Sequence, residues 1–124
     1  MPNKARVFVV DDEQIIADTF AMILNQSGFD AVPLYNGPDA IALCRRKPCD
    51  VLLTDVMMNP MNGVETALAI RQICPTCKVL LFSGNPDTAN LLNIAQADGY
   101  AFEVLAKPLH PVDVIKRVAS LIED

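Results

Sequence analysis

Short apolar runs alternate with longer amphipathic stretches along the chain, and this pattern predicts five strand–helix units. The predicted strands are residues 6–10, 31–35, 50–54, 79–82 and 101–106. The predicted helices are 13–26, one that begins at the turn 36–39, 63–74, 87–97 and 111–122. Such alternation is typical of a parallel sheet with helices on both faces. The predicted fold class is therefore α/β, a single doubly wound (βα)5 domain.

Composition narrows the class of protein. With 124 residues, 52% of them hydrophobic and 20% charged, we expect one globular domain over 1–124 and no output domain. No apolar run approaches the roughly 20 residues of a membrane span, and the first residues lack a signal-peptide pattern. We therefore expect a cytoplasmic protein without a membrane partner. The net charge of −5 argues against direct binding to nucleic acid.

The four cysteines include one C-x-x-C pair, Cys74 and Cys77. This spacing suits a redox pair or part of a zinc site. A redox pair is expected at a helix start, where the helix dipole lowers a thiol pKa, whereas this pair follows a predicted helix. We expect free thiols, with neither metal nor disulfide. Cys49 and Cys77 each precede a strand, so they approach each other if strands three and four are neighbours, with Cys74 and Cys44 less certain.

Polar side chains suited to metal binding or catalysis follow the predicted strands. Strand one is followed by Asp11 and Asp12, strand three by Asp55, strand four by Ser83 and strand five by Lys107. Carboxyl ends of parallel strands share one sheet edge, where doubly wound folds bind ligands. Each residue alone has an ordinary explanation, such as a helix cap or a turn. Together, three carboxylates at one edge repel each other and call for a cation, and oxygen ligands suit Mg²⁺, which substrate phosphate commonly completes.

Four segments in the right order at the strand ends resemble the response-regulator receiver domain, the CheY-like family. They are Val9–Glu13, Leu52–Met58 continuing through Met61–Gly63, Leu80–Gly84 and Lys107–Leu109. The resemblance covers essentially the whole chain. It implies a flavodoxin-like, CheY-like sheet of five parallel strands in the order 2-1-3-4-5.

The resemblance also implies a phosphoacceptor and a metal site. Asp55 would accept a phosphoryl group from the phosphohistidine of a sensor histidine kinase or a phosphotransfer protein. Asp12, Asp55 and the backbone carbonyl of Met57 would hold Mg²⁺, and Asp11 would act through a metal-bound water. The activity would be limited to Mg²⁺-dependent self-phosphorylation and slow self-dephosphorylation, so the chain would not be an enzyme in the usual sense.

The remaining implied roles concern stabilisation of the phosphoryl group and the output. Ser83 would donate a hydrogen bond to that group, Lys107 would pair with one of its oxygens, and the Lys107–Pro108 peptide bond would be cis. Phosphorylation would shift an existing equilibrium between two surfaces. The output would be phosphorylation-dependent binding to a downstream protein, and homodimerisation is left open.

Two segments depart from the family pattern. Asn59 stands where the family has proline and Pro60 follows one place late, so we expect a reshaped loop with Gly63 in its usual place. Val104 occupies the position of the aromatic switch residue. Phe102 shares its side of the strand but lies about 7 Å away, too far to substitute for it. We expect this chain to be phosphorylated as the family is, whereas signal transmission through the fourth helix and the fifth strand is less certain than phosphorylation.

The residues that flank the phosphoryl group predict a slow loss of phosphate. By resemblance, Met57 and Asn85 border the path of the attacking water. Methionine covers the group without orienting a water, and asparagine cannot act as a base. We therefore expect a long-lived phosphorylated state.

Two alternative functions remain open from the sequence. The first is an aspartyl-phosphate phosphohydrolase of the haloacid-dehalogenase type, but such enzymes place Asp-x-Asp at one strand end and this chain has Met57 two places after Asp55. The second is a phosphorylation-independent binding module, which Val104 mildly favours. The complete acidic, hydroxyl and lysine set argues against it.

Overall fold

The computed structural model describes residues 4–84, 99 and 102–123, and strands and helices alternate in it as predicted. The elements are β1 (Arg6–Val10), α1 (Gln14–Gln26), β2 (Asp30–Leu34), α2 (Gly37–Arg46), β3 (Val51–Asp55), α3 (Gly63–Ile73), β4 (Lys78–Ser83), β5 (Glu103–Ala106) and α4 (Pro111–Glu123). The helix predicted over 87–97 lies outside the described residues. Among the helices that are described, none is long and apolar enough to cross a membrane.

The five strands form one parallel sheet in the order β2-β1-β3-β4-β5, which confirms the predicted order. Val7 lies opposite both Ala31 and Val51, so β1 lies between β2 and β3 in the sheet. The strand order reverses between β1 and β3. At such a reversal the two crossover connections leave on opposite faces and open a crevice at the carboxyl ends of the strands.

The core has two layers, one on each face of the sheet. Phe8, Leu52 and Leu81 belong to the cluster on the α2–α3 side, whereas Leu53 and Leu80 belong to the cluster on the α1–α4 side. All five of these side chains are fully buried. Because the central strands are covered on both faces, alternate residues of one strand are equally apolar, which explains the continuous hydrophobic runs in the sequence.

Local hydrogen bonds define the starts of the helices beside the sheet edge. The side chain of Asn62 accepts a hydrogen bond from the Glu65 N–H at 2.8 Å, and Glu65 accepts one from the Asn62 N–H at 3.0 Å, which makes a capping box for α3. Helix α1 differs, because its N-cap residue, Glu13, makes no side-chain cap. Asp12 therefore does not cap α1, which was the ordinary explanation for that residue.

Candidate functional site

Three carboxylates meet at the carboxyl edge of the sheet, as predicted. Asp11 and Asp12 follow β1 and Asp55 ends β3, and one oxygen from each lies within 4.8 Å of the others. Asp11 and Asp55 are buried, whereas Asp12 is exposed. The cluster is therefore embedded in the protein on one side and open to solvent on the other.

The backbone around Asp55 is held by close packing against the start of α3. The Gly63 N–H donates a hydrogen bond to the Val56 carbonyl at 2.7 Å. A Cβ atom on Gly63 would lie 2.0 Å from the Asp55 carbonyl oxygen, so no side chain fits there. The Thr54 hydroxyl donates to the same Asp55 oxygen at 3.0 Å. The close approach gives the physical reason for the glycine that the sequence identified only by its place in a motif.

Lys107 brings a positive charge to Asp55 from the far side of the cleft. Its Nζ lies 3.3 Å from Asp55 Oδ2 and 5.4 Å from the centroid of the Phe82 ring. The Lys107 N–H donates to the Ser83 carbonyl at 3.1 Å, which ties the end of β5 to the end of β4. The Lys107–Pro108 peptide bond is cis, as the resemblance implied.

The predicted site residues Asp12, Asp55, Met57, Ser83 and Lys107 border one cavity of about 400 Å³, whereas Asp11 is not part of its lining. It is lined by Asp12, Glu13, Asp55, Met57, Ser83, Gly84 and Lys107. Met57 is 44% exposed at its rim, while the neighbouring Met58 is buried. Glu13 was not among the site residues predicted from the sequence, although its place directly after the acidic pair was a usable signal. Asn85, the second predicted flanking residue, lies outside the described residues.

Burial makes the site electrostatically unfavourable for anions. Burial raises the pKa of Asp11 to about 6. A hydrogen bond from the Glu13 backbone N–H lowers this pKa, whereas the charge of the Asp55 carboxylate adds to the rise. Burial also raises the pKa of Asp55, and the Lys107 ammonium opposes that rise by its charge and by a hydrogen bond. One lysine thus compensates only part of the negative charge.

One buried oxygen in this cluster lacks a partner among the residues that the structure describes. Asp11 Oδ1 accepts a hydrogen bond from the Glu13 N–H at 2.9 Å, but Asp11 Oδ2 is buried and has no hydrogen-bond partner in the described part of the chain. Buried polar groups are normally paired, so this oxygen needs an explanation. Carboxylate oxygens are the ligands that Mg²⁺ prefers, and the donor set therefore fits that ion.

The region around β5 keeps the departure seen in the sequence. Val104 lies opposite Leu81 of β4, and Val104 and Phe102 both pack against the α2–α3 side of the core. The predicted common side of these two residues is thus confirmed. A valine stands in the structure at the position of the aromatic switch residue.

Comparison with known proteins gives a consistent result. The family model described as response regulator receiver domain matches residues 7–119. The regulatory protein VanRc of Enterococcus gallinarum is 31% identical over 116 residues, which are 93% of this chain and 48% of that protein. The chain thus spans about half the length of the curated relatives it matches.

Solved structures show the same fold. The CheY-like receiver domain protein of Methanospirillum hungatei has a TM-score of 0.86 at 21% identity, covering 98% of this chain and 96% of that one. A receiver domain protein of Clostridium thermocellum has a TM-score of 0.84 at 26% identity, covering 96% and 94%. The family match spans all three acidic residues, the hydroxyl and the lysine of the cavity. The chain therefore belongs to the response-regulator receiver domain family, whose members are signalling domains and not enzymes in the usual sense.

Proposed function

We propose that Asp55 is the phosphoacceptor of this receiver domain and that its phosphodonor is the phosphohistidine of a sensor histidine kinase or a phosphotransfer protein. The observation that carries this proposal is the contact between Lys107 Nζ and Asp55 Oδ2 at 3.3 Å, inside a cavity that opens to solvent. A carboxylate at the end of a strand, with a cation beside it and room for a phosphoryl group, is suited to accept that group.

The transfer follows from the positions of these side chains. An Asp55 carboxylate oxygen attacks the phosphorus in line while the bond from phosphorus to the donor imidazole nitrogen breaks. An acyl phosphate forms on Asp55 and the donor histidine leaves. Lys107 neutralises charge that spreads over the phosphoryl oxygens, and the Ser83 hydroxyl, which lines the same cavity, donates a hydrogen bond to one of them.

The acidic cluster supports a magnesium site in this proposal. Asp12, Asp55 and the Met57 carbonyl would hold Mg²⁺, with Asp11 acting through a bound water. The fit rests on three carboxylates within 4.8 Å and on the buried Asp11 oxygen without a partner among the described residues. When bound, Mg²⁺ supplies positive charge to the phosphoryl oxygens and screens the carboxylates from each other.

We propose that residues 1–124 form a receiver domain in the cytoplasm. Its proposed output is phosphorylation-dependent binding to a downstream protein. Two matched relatives carry the names regulatory protein VanRc and DNA-binding response regulator MtrA, and both are about twice as long as this chain. The net charge of −5 argues that this domain contacts protein partners and not nucleic acid. Whether the domain pairs with a second copy is left open.

The alternatives differ in what supports them. The family match lends no support to the phosphohydrolase, and Met57 lacks an acid function at the required place. The phosphorylation-independent module keeps one observation in its favour, because Val104 replaces the aromatic switch residue. That observation bears on signal transmission and leaves the acceptor site complete.

The test is incubation with Mg²⁺ and acetyl phosphate, followed by intact mass measurement. We expect one acid-stable, base-labile phosphoryl adduct in the wild type and none in Asp55→Asn. Asp50→Asn is the matched control, because Asp50 lies just before β3, at its opposite end, and bonds to the Arg6 N–H at 2.7 Å. Phosphate release without an adduct would favour the phosphohydrolase, and no reaction would favour the phosphorylation-independent module.

A further inference from the structure

Cysteines gather at the amino edge of the sheet, opposite the acidic cluster. Cys44 lies on α2, Cys49 precedes β3, Cys74 follows α3 and Cys77 precedes β4. All four are free thiols. Cys49 Sγ and Cys77 Sγ are 3.3 Å apart, which confirms the predicted approach of these two residues. Both are almost fully buried, at 2% and 0% exposure.

The backbone holds this pair close together, with Cys49 one residue out of direct register with Cys77. Val51 of β3 lies opposite Lys78 of β4, and the Lys78 N–H donates to the Asp50 carbonyl at 3.0 Å. Adjacent strands are about 4.8 Å apart, and disulfides join Cα atoms that are roughly 4.4–6.8 Å apart. The two sulfurs therefore need to close by only about 1 Å to reach bonding distance, which side-chain rotation can supply without moving the strands.

The two thiols are not equivalent in their surroundings. Either thiol can donate in the hydrogen bond that joins the two sulfurs. This contact with Cys49 lowers the pKa of Cys77, and the nearby Arg71 guanidinium lowers it further. Arg71 Nη1 donates to the Cys77 carbonyl at 2.9 Å, so the cation is fixed beside this cysteine. The same hydrogen bond and burial raise the Cys49 pKa. The cation held beside Cys77 favours its thiolate, so we assign the first attack to Cys77 and the second to Cys49.

The cover over the pair is thin. Pro48 and Asp50 flank Cys49, Thr76 and Lys78 flank Cys77, and all four flanking residues are exposed. Local opening of two short loops therefore exposes the sulfurs to a small molecule. Because the two residues are only 2% and 0% exposed, a small oxidant reaches the sulfurs more readily than a bulky disulfide reagent.

We propose that Cys49 and Cys77 form a reversible oxidation site, in which a small hydroperoxide converts the two thiols into an intramolecular disulfide. Cys77 sulfur attacks the peroxide, the O–O bond breaks, and a sulfenic acid forms with release of water or an alcohol. Cys49 sulfur then attacks the sulfenic sulfur, an S–S bond forms and a second water leaves. Two electrons pass from the sulfurs to the peroxide, and both thiol protons end in the released products.

The disulfide would join the beginnings of β3 and β4, which carry Asp55 and Ser83 at their other ends. It closes a loop between residues 28 positions apart, so oxidation should raise the Tm by several degrees. The acidic cluster is not involved, so this proposal stands or falls independently of the phosphoacceptor assignment.

The test is treatment of the folded protein with hydrogen peroxide, acid quenching, maleimide blocking of remaining thiols, and peptide mapping by mass. We expect a loss of about 2 Da, reversed by dithiothreitol, with Cys49 and Cys77 in one cross-linked peptide pair. Cys44→Ser should keep the bond, whereas Cys49→Ser and Cys77→Ser should lack it.

The wild-type map decides the matter even if a serine variant folds poorly. A bond that involves Cys44 or Cys74, a bond between two chains, or unchanged Cys49 and Cys77 thiols in folded protein would each overturn the proposal. Exclusive formation of sulfinic or sulfonic acid would also overturn it, because those products do not return to the dithiol.

Discussion

Strands β3 and β4 end beside carboxylates at one edge of the sheet and begin beside thiols at the other. At the carboxyl edge, three acidic side chains lie within 4.8 Å and a buried Asp11 oxygen lacks a partner among the described residues. At the amino edge, Cys49 and Cys77 are buried as Asp11 and Asp55 are, but their sulfurs contact each other at 3.3 Å. Burial thus opposes ionisation at both edges, which costs free energy where carboxylates are ionised but not where thiols stay neutral.

The difference shows which edge is arranged for binding. Burying ionised carboxylates costs free energy, which is why burial raises the pKa of Asp11 and of Asp55. Burying thiols is favourable, because cysteine packs as a small hydrophobic residue. The protein therefore tolerates a destabilising cluster at the edge where a cation and a phosphoryl group are proposed to bind, and it packs the opposite edge for stability.

The largest effect is expected from Gly63→Ala. The added Cβ would lie 2.0 Å from the Asp55 carbonyl oxygen, so the backbone at the carboxyl edge must shift, and we expect a loss of roughly 3 kcal/mol or more in the free energy of unfolding. Urea unfolding measures it. Gly84→Ala is the control, because its Cβ meets Lys107 Cβ at 3.4 Å and should cost under about 1 kcal/mol. Equal stabilities would refute tight packing behind Asp55.

Asp11→Asn should stabilise the metal-free protein. The folded-state pKa of about 6 lies above the unfolded value of 3.8, so ionised Asp11 carries a penalty that is absent below about pH 4 and complete above about pH 6. We expect the variant to gain roughly 1–3 kcal/mol at neutral pH with a chelator present, and the gain to fade as the pH falls to 4. Urea unfolding between pH 4 and pH 8 measures it.

The matched substitution at the other edge should have the opposite sign. Cys77→Ser buries a hydroxyl among thiols, so we expect a loss of about 1–2 kcal/mol that stays constant from pH 4 to pH 7. If Asp11→Asn were destabilising at neutral pH, or if both edges responded alike, the contrast between them would be wrong.

Asp12→Asn should weaken Mg²⁺ binding about tenfold or more, because the proposed site loses a direct ligand. Asp11→Asn should weaken it less, since its proposed link passes through a water. The Mg²⁺ affinities of both variants are measured from the rise in Tm as Mg²⁺ is titrated. Glu13 lines the same cavity without being a proposed ligand, so Glu13→Gln serves as the control, and little change in Mg²⁺ affinity is expected. Unchanged affinity in Asp12→Asn would remove Asp12 from the site.

The smallest effect is expected from Met57→Asn, and it rests on the proposed phosphoacceptor. Met57 is 44% exposed at the rim of the cavity, where an apolar side chain covers the phosphoryl group without orienting water. We expect loss of phosphate to become a few times faster in the variant, measured by intact mass after removal of the donor. Met22→Asn, an exposed position on α1, should leave the decay unchanged. Equal or slower decay in Met57→Asn would show that Met57 does not shield the group.

Local pattern was sufficient for the elements that the structure describes and for placing the candidate site residues at one edge of the sheet. The continuous apolar runs predicted β1 and β4 because strands covered on both faces need no polar alternation. The polar residues after those runs were placed together correctly, because parallel strands end at the same sheet edge. These features depend on hydrophobic periodicity and on the order of the elements, both of which can be read from the amino-acid sequence.

Contacts between distant segments needed the tertiary structure. The approach of Lys107 Nζ to Asp55, the space that admits only a glycine at position 63, and the sulfur contact of Cys49 with Cys77 all depend on which strands are neighbours and in what register. The start of α1 depends on a local contact that the pattern did not predict, since Asp11 accepts a hydrogen bond from the Glu13 N–H and Asp12 is left at the cavity. Sequence pattern specifies what each segment is, whereas packing at ångström distances decides which atoms of two segments meet.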